Sequence, residues 1–212
     1  MSRLVKHAGD RILALSFLVA ASPALAAIAV WILLDDGRPV LLRQERAGRH
    51  GRPFDMFKFR TMVPDAIERG RALGMDDPYG VLKDDPRITR SGRFLRRSGL
   101  DELPQLLNVL RGEMSLVGPR PDLVEQVANY TDSDRRRLAV LPGITGWSQI
   151  HGREDMPWPE RIEQDIWYVE HWSLWLDVKI VLRTFGELFR PEPDPVVDTM
   201  NIERARQAAK RG

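Results

Sequence analysis

The sequence predicts an α+β chain, mainly helical, that starts with a membrane helix and continues into a single domain-sized segment. Three observations point there. An uncharged run of 23 residues extends from Ile12 to Leu34, about 34 Å as a helix and enough to cross a hydrocarbon core. Two strand-like runs flank a Gly/Pro-rich connector soon afterwards, as a β-hairpin would. Beyond it, apolar residues recur with helical spacing, in Leu103, Leu106, Leu107 and Leu110 above all. The expected division is a membrane helix over residues 1–36, a main domain over 37–190 and a C-terminal extension over 191–212.

Composition removes several function classes. The chain has 212 residues, with 32 Lys+Arg against 30 Asp+Glu. Three bases and one acid precede Asp35, so the remainder is formally neutral. That balance disfavours a nucleic-acid binder. With no cysteine, disulfides, thiol catalysis and Cys-metal sites are excluded. A hydrophobic content of 43% beside 29% charged residues excludes wholesale disorder.

The membrane segment admits three readings. A secretory signal would use Arg3, Lys6 and Arg11 as its basic region and Ala24-Leu25-Ala26 as a cleavage site. However, the apolar run continues past that site through Ile28, Val30, Trp31 and Ile32. A simple crossing helix is the second reading. The third is a re-entrant helix that enters and leaves on one face, and two features favour it. Ser22-Pro23 lies mid-run, where Pro removes a helix hydrogen bond and the Ser hydroxyl can take up a freed backbone group. Both flanks are also basic: Arg3, Lys6 and Arg11 before, then Arg38, Arg43, Arg46, Arg49 and Arg52 after. Such clusters belong on the cytoplasmic side.

Downstream, Val40–Arg46 and Phe54–Arg60 form the predicted hairpin. Lys58 and Arg60 share one strand face, either as solvated edge charges or as a basic face aimed at phosphate. Residues 64–90 read as a helix and then a loop. Arg90, Arg93 and Arg97 follow helical spacing with Arg96 beside them. Asp101 and Glu102 fall at or next to the start of the leucine-striped helix, because Pro104 fits only a first turn. Acids there are usually capping residues, occasionally catalytic ones. Gly112 ends that helix, and Gly118-Pro119-Arg120-Pro121 makes a rigid turn that fixes Arg120. Asp122–Leu141 reads as one helix with a capping box at Thr131–Asp134, and Pro142–Trp147 as a loop followed by Gln149, His151 and Arg153. Further helices run from Pro159 to Tyr168 and from Leu174 to Phe185. Trp172, Trp175, Leu176, Val178, Ile180 and Leu182 fit either an interfacial helix or core.

There is no Walker loop, no G-x-G-x-x-G, no H-E-x-x-H and no G-x-S-x-G. What remains is a bilayer-associated domain with arginines on rigid turns and a carboxylate pair at a helix start. These features suit a phosphorylated substrate at a membrane surface.

Several ordered stretches then resemble the bacterial sugar transferases, the monotopic phosphoglycosyl transferases that initiate glycan assembly. They are Lys58-Phe59-Arg60-Thr61-Met62, Gly92-Arg93-Phe94-Leu95-Arg96, Leu100-Asp101-Glu102-Leu103-Pro104-Gln105 and Asn108 to Ser115. Val117 to Pro121, Pro142 to Trp147, Gly152-Arg153 and Tyr168 to Ser173 follow. The resemblance covers roughly residues 5–190 and is to the minimal members, whose single hydrophobic segment is a re-entrant helix broken at a Ser-Pro pair, here Ser22-Pro23.

It implies transfer of a sugar 1-phosphate, usually from a UDP-sugar, to polyprenyl (undecaprenyl) phosphate. UMP leaves, and the product opens assembly of a glycan such as an exopolysaccharide. By resemblance Asp101 is the nucleophile that forms a covalent phospho-sugar ester. Glu102 helps hold Mg²⁺, and Lys58, Arg60, Arg96, Arg120, Gln149 and Arg153 contact substrate. For Arg153 an ion pair with Glu154 or Asp155 is the competing role. The implied partners are the UDP-sugar, the polyprenyl phosphate and the phospholipid bilayer, with no nucleic acid; a homodimer is admitted. The implied location is the cytoplasmic face of a bacterial inner membrane. Where many members have Ser before Leu-Asp-Glu, this chain has Gly99, and Ser98 is the expected substitute cap. Two other functions compete: a tethered binding module that has lost activity, and a polyprenyl-dependent glycosyltransferase that moves the sugar alone and would release UDP.

Overall fold

A computed structural model describes residues 3–75, 82, 84–152 and 156–187. Helix α1 (Arg3–Asp36) runs without interruption through Pro23. Pro23 has no N–H for the carbonyl of Val19, and the Ser22 hydroxyl donates to that carbonyl at 2.8 Å. The Ser-Pro pair thus satisfies locally the group that Pro leaves open. The helix is long and apolar enough to cross a membrane, and little of its most apolar stretch is buried in protein. Leu13, Leu15, Phe17 and Val19 face outward. The chain is a membrane protein of α+β class, mainly helical, as expected.

Both ends of α1 pack into the same domain. Near its start, Lys6 Nζ lies 2.7 Å from Asp177 Oδ2, and the Ser115 hydroxyl donates to Asp10 at 2.6 Å. Ala14 joins Met56, Leu106, Val109 and Met114 in one apolar cluster. Near its end, Ile28 and Ile32 pack with Phe59 and Leu95, and Asp35 accepts from the Ser91 amide at 2.8 Å. These contacts favour retention of α1 over a cleavable signal, since cleavage after Ala26 would strip Lys6, Asp10 and Ala14 from the folded domain.

Strands β1 (Leu41–Ala47) and β2 (Pro53–Phe59) pair antiparallel, with Arg43 opposite Phe57 and Ala47 opposite Pro53. Helices α2 (Ala66–Ala72) and α3 (Arg90–Ser98) follow. Thr89 caps α3 through its hydroxyl, which accepts from the Gly92 amide at 2.9 Å. Gly99 ends α3 with φ 67°, a left-handed conformation that only glycine takes without strain. Leu100–Glu102 then forms a 3₁₀ turn, and α4 (Gln105–Arg111) begins after Pro104.

The leucine stripe is only partly the buried face of α4. Leu107 remains 36% exposed, while Gln105 and Asn108 are buried beside Leu106 and Val109. Asn108 works as a backbone substitute: its Oδ1 accepts from the Phe57 amide (3.0 Å) and its Nδ2 donates to the Asp55 carbonyl (2.7 Å). It thereby ties α4 to β2.

The segment expected as one helix from Asp122 to Leu141 is two pieces, α5 (Val124–Ala128) and a 3₁₀ stretch over Asp134–Ala139. The break lets Tyr130 and Arg137 turn inward together to meet Asp122. The Thr131–Asp134 capping box forms, each side chain accepting from the other's amide at 3.0 and 3.2 Å. The expected Pro142–Trp147 loop contains β4 (Gly143–Thr145), parallel to β3 (Ser115–Val117). A Cβ on Gly118 or Gly143 would strike the facing backbone. Helices α6 (Trp158–His171) and α7 (Leu174–Glu187) close the domain. The two readings of α7 divide the helix between them: Leu176 and Ile180 are core, while Trp175 (74% exposed), Val178, Leu182 and Phe185 form an outward apolar stripe. The C-terminal extension lies outside the described residues.

The Lys6–Asp177 pair is buried, and Asp177 also accepts from Tyr168 and Trp172. Lys6→Met leaves this acid without its cation and should destabilise the domain by about 3 kcal/mol. Arg3→Met, at an exposed site, should cost less than about 1 kcal/mol. Thermal melts of the two variants in detergent check the contrast; equal losses contradict it.

Candidate active site

Asp101 and Glu102 occupy the 3₁₀ turn between α3 and α4. Successive residues of such a turn point in different directions, and the two carboxylates meet different surroundings. Lys58, from β2, puts its ammonium 2.8 Å from Glu102 Oε1. Arg120, from the turn after β3, puts Nη2 3.0 Å from the same oxygen. No hydrogen bond reaches the Asp101 carboxylate from the described residues. One acid is clamped by two cations and the other is open.

The electrostatics separate them further. Burial raises Asp101 to about 6, helped by the charge of Glu102 and opposed by Lys58, Arg96 and Arg120. Burial alone would also raise Glu102, but Arg120 and Lys58 hold it well below the usual carboxylate range. Glu102 is therefore a permanent anion, and Asp101 is mainly ionised at neutral pH. The screening comes from side-chain cations more than from a helix end, since α4 is short and starts three residues after Glu102.

The other expected site residues are distributed unevenly. Lys58 and Arg120 converge on the dyad, and Arg96 on α3 is close enough to lower Asp101. Arg60 points elsewhere. It is 4% exposed, donates to the carbonyls of Asp36 and Gly37 at 2.8 Å and pairs with the Asp36 carboxylate at 2.7 Å. Its cation caps the C-terminal end of α1, where free carbonyls and the helix dipole attract it. Gln149 donates to the Ile144 carbonyl at 3.1 Å, bracing the segment around β4. Arg153 lies outside the described residues, as do its candidate partners Glu154 and Asp155. Ser98 does not cap the dyad turn: its hydroxyl donates back to Phe94 and Leu95. The turn is closed instead by the Glu102 amide donating to the Gly99 carbonyl.

A buried network beneath Arg120 escaped sequence reasoning. Arg137 pairs with both Asp122 and Asp165 and donates to the Arg120 carbonyl at 2.8 Å. Tyr130 donates to Asp122 (2.5 Å) and Ser148 to Asp165 (2.8 Å). The turn that presents the Arg120 guanidinium is thus fixed from behind by a second arginine. One signal was available. Asp165 sits between Ile162 and Tyr168 on the buried face of α6, and an acid on an apolar face requires a partner.

Mg²⁺ can be tested against this donor set. No group of three His, Asp or Glu side chains among the described residues could cage a metal. Mg²⁺, however, is commonly held by one or two carboxylates with substrate phosphates and water. Asp101 is open, and Glu102 Oε2 has only a 3.5 Å contact from Arg120 Nη1, so the pair fits that mode.

A domain with an apolar N-terminal helix, a cation-clamped Asp-Glu pair and arginines on Gly/Pro turns has the form of a membrane-associated transferase. The signature of the bacterial sugar transferase family spans residues 1–191, and the chain belongs to that family. The Bacillus subtilis (strain 168) protein "Uncharacterized sugar transferase EpsL" is 43% identical over 173 residues, 82% of this chain and 81% of that protein. The undecaprenyl-phosphate galactose phosphotransferase of Salmonella typhimurium is 42% identical over 198 residues, 89% of this chain and 41% of the other. The UDP-glucose:undecaprenyl-phosphate glucose-1-phosphate transferase of Escherichia coli K12 is 42% identical over 194 residues, 87% and 40%. The chain spans about two fifths of the last two proteins.

Arg120 and Arg137 should separate function from folding. Arg120→Ala removes a partly exposed cation and should move the melting temperature by no more than about 3 °C. Arg137→Met leaves two buried carboxylates unpaired and should lower it by about 10 °C. Differential scanning calorimetry decides, and an Arg120→Ala loss as large as that of Arg137→Met contradicts this division.

Proposed function

We propose that this protein transfers a sugar 1-phosphate from a UDP-sugar to polyprenyl (undecaprenyl) phosphate through a covalent intermediate on Asp101. The observation that carries the reading is the asymmetry of the dyad, with Glu102 held between Lys58 and Arg120 while Asp101 stands open. The family and the names of the Salmonella and E. coli relatives supply the substrate classes.

In the first half-reaction an Asp101 carboxylate oxygen attacks the sugar-bearing phosphorus. An Asp–O–P bond forms, the bond to the bridging diphosphate oxygen breaks, and UMP departs with that oxygen. In the second, a phosphate oxygen of the lipid attacks the same phosphorus and returns the carboxylate. Splitting the transfer lets a water-soluble donor and a lipid acceptor use one site in turn. Lys58, Arg96 and Arg120 lower the repulsion between a carboxylate and a diphosphate, in a site that is partly dry. Asp101 and Glu102 would hold Mg²⁺, which neutralises charge on the phosphates when bound. The fold supports working at a bilayer surface from one side: both ends of α1 dock on the domain, and α7 adds an outward apolar stripe in line with an interfacial helix. We assign residues 1–36 to the membrane element and place the domain on the cytoplasmic face.

Incubation with UDP-glucose or UDP-galactose and Mg²⁺, with the polyprenyl phosphate left out, should add one sugar-phosphate mass to the Asp101 peptide and release UMP. Asp101→Asn should give neither, and Glu102→Gln should slow the step and weaken its Mg²⁺ dependence. Peptide mass spectrometry with nucleotide chromatography checks this. UDP as the product, or an adduct on another residue, overturns the mechanism.

A further inference from the structure

Arg46, in β1, has surroundings unlike those of the buried arginines. Arg60, Arg87 and Arg137 each face a carboxylate at close range. Arg46 donates through Nη1 to the Pro121 carbonyl (3.2 Å) and through Nη2 to Gln44 Oε1 (2.8 Å), both neutral acceptors. Its Nε is buried without a hydrogen-bond partner, as are those of Arg60 and Arg137; what sets Arg46 apart is that no carboxylate among the described residues pairs with it. Pro121 immediately follows Arg120, so one turn holds the Arg46 guanidinium at its backbone and projects Arg120 toward Glu102.

The two cations disfavour each other. Burial, and then the charge of Arg120, lowers Arg46 to about 10, against attraction from Asp122, Glu102 and Glu125. A guanidinium kept partly dry beside another, with a spare N–H and only neutral acceptors, is costly until an anion arrives. Planar N–H forks of this kind match phosphate oxygens.

We propose that the Arg46 guanidinium joins Arg120 in binding phosphate oxygens of a substrate. The inference deepens the reading above by naming a second guanidinium for the same site. Two sources present the required oxygens, the diphosphate of the donor and the phosphate of the lipid acceptor. The competing role is a plain clamp, in which Arg46 only holds the Pro121 carbonyl.

The test uses the full chain in detergent with inorganic pyrophosphate as probe. Arg46→Gln keeps a donor for Pro121 and loses the charge, whereas Arg46→Lys keeps the charge and loses the fork. Calorimetry should show about tenfold weaker pyrophosphate binding for the Gln variant and a smaller loss for the Lys variant. Equal losses in the two variants, wild-type binding by the Gln variant, or no binding by wild type each overturn the proposal. In wild type the Arg46 Nε–H NMR signal, assigned by its absence in Arg46→Lys, should shift on titration with pyrophosphate. An unmoved signal contradicts the proposal even if the Gln variant does not fold. Loading of Asp101 by UDP-glucose and discharge of the loaded enzyme by undecaprenyl phosphate then identify the source. The half-saturating concentration should rise for one of these steps in the variants, and no change in either overturns the role. If wild type never loads Asp101, the transfer reading fails while the pyrophosphate result still judges Arg46.

Discussion

The arrangement rests on α1 being fastened to the domain at both ends. A buried ion pair, Lys6 with Asp177, holds the start of the helix against α7. Arg60 on its carbonyls and Asp35 on the Ser91 amide hold its end. Between these points Ala14 packs on Leu106 and Met56, and Ile32 on Phe59 and Leu95. The elements α1 touches therefore include β2 with Lys58, α3 with Arg96 and α4 just after the dyad. A helix that looks in sequence like an anchor is one wall of the core that positions the site.

From that wall outward, charge is arranged in layers. Arg137 neutralises Asp122 and Asp165 and grips the Arg120 backbone. The Arg120 guanidinium and Lys58 in turn clamp Glu102. Each layer fixes the next, so that Asp101 is left as the one acid of the dyad with a free carboxylate face. Burial and the neighbouring Glu102 make it a better base than a solvated aspartate, and the surrounding cations keep it largely ionised at neutral pH.

Much of this was legible in sequence wherever a local rule decides the outcome. The hairpin follows from two strand-like runs around a Gly/Pro connector, the Thr131–Asp134 box from its spacing, and the place of the dyad just ahead of α4 from Pro104, although its separate 3₁₀ turn does not. What remained hidden depends on tertiary partners. Arg60 and Lys58 sit two residues apart and by strand period share one face, yet the end of α1 claims Arg60 and the dyad claims Lys58. Arg137 is the third of three consecutive arginines, and only the fold buries it. β3 and β4 are three residues each, too short to show a period. Asn108 is polar within a leucine stripe, and its burial follows from the backbone groups of β2 that it satisfies. In sequence Arg46 belongs to the basic flank of the membrane run, and its position beside Arg120 emerges only when β1 meets the turn after β3.

The proposal of one-sided membrane attachment requires that both ends of α1 lie on the same face of the bilayer as the domain they dock on. The chain contains no cysteine, so single cysteines report without background. Ala47 is 1% exposed and unsuitable for labelling, but Arg49 nearby is exposed. Cysteines placed singly at Ser2 and at Arg49 should both react with an impermeant maleimide in inverted membrane vesicles and neither should react in intact cells. Labelling of Ser2 from outside the cell with Arg49 reactive only from inside would mean that α1 crosses the membrane, and would contradict the account.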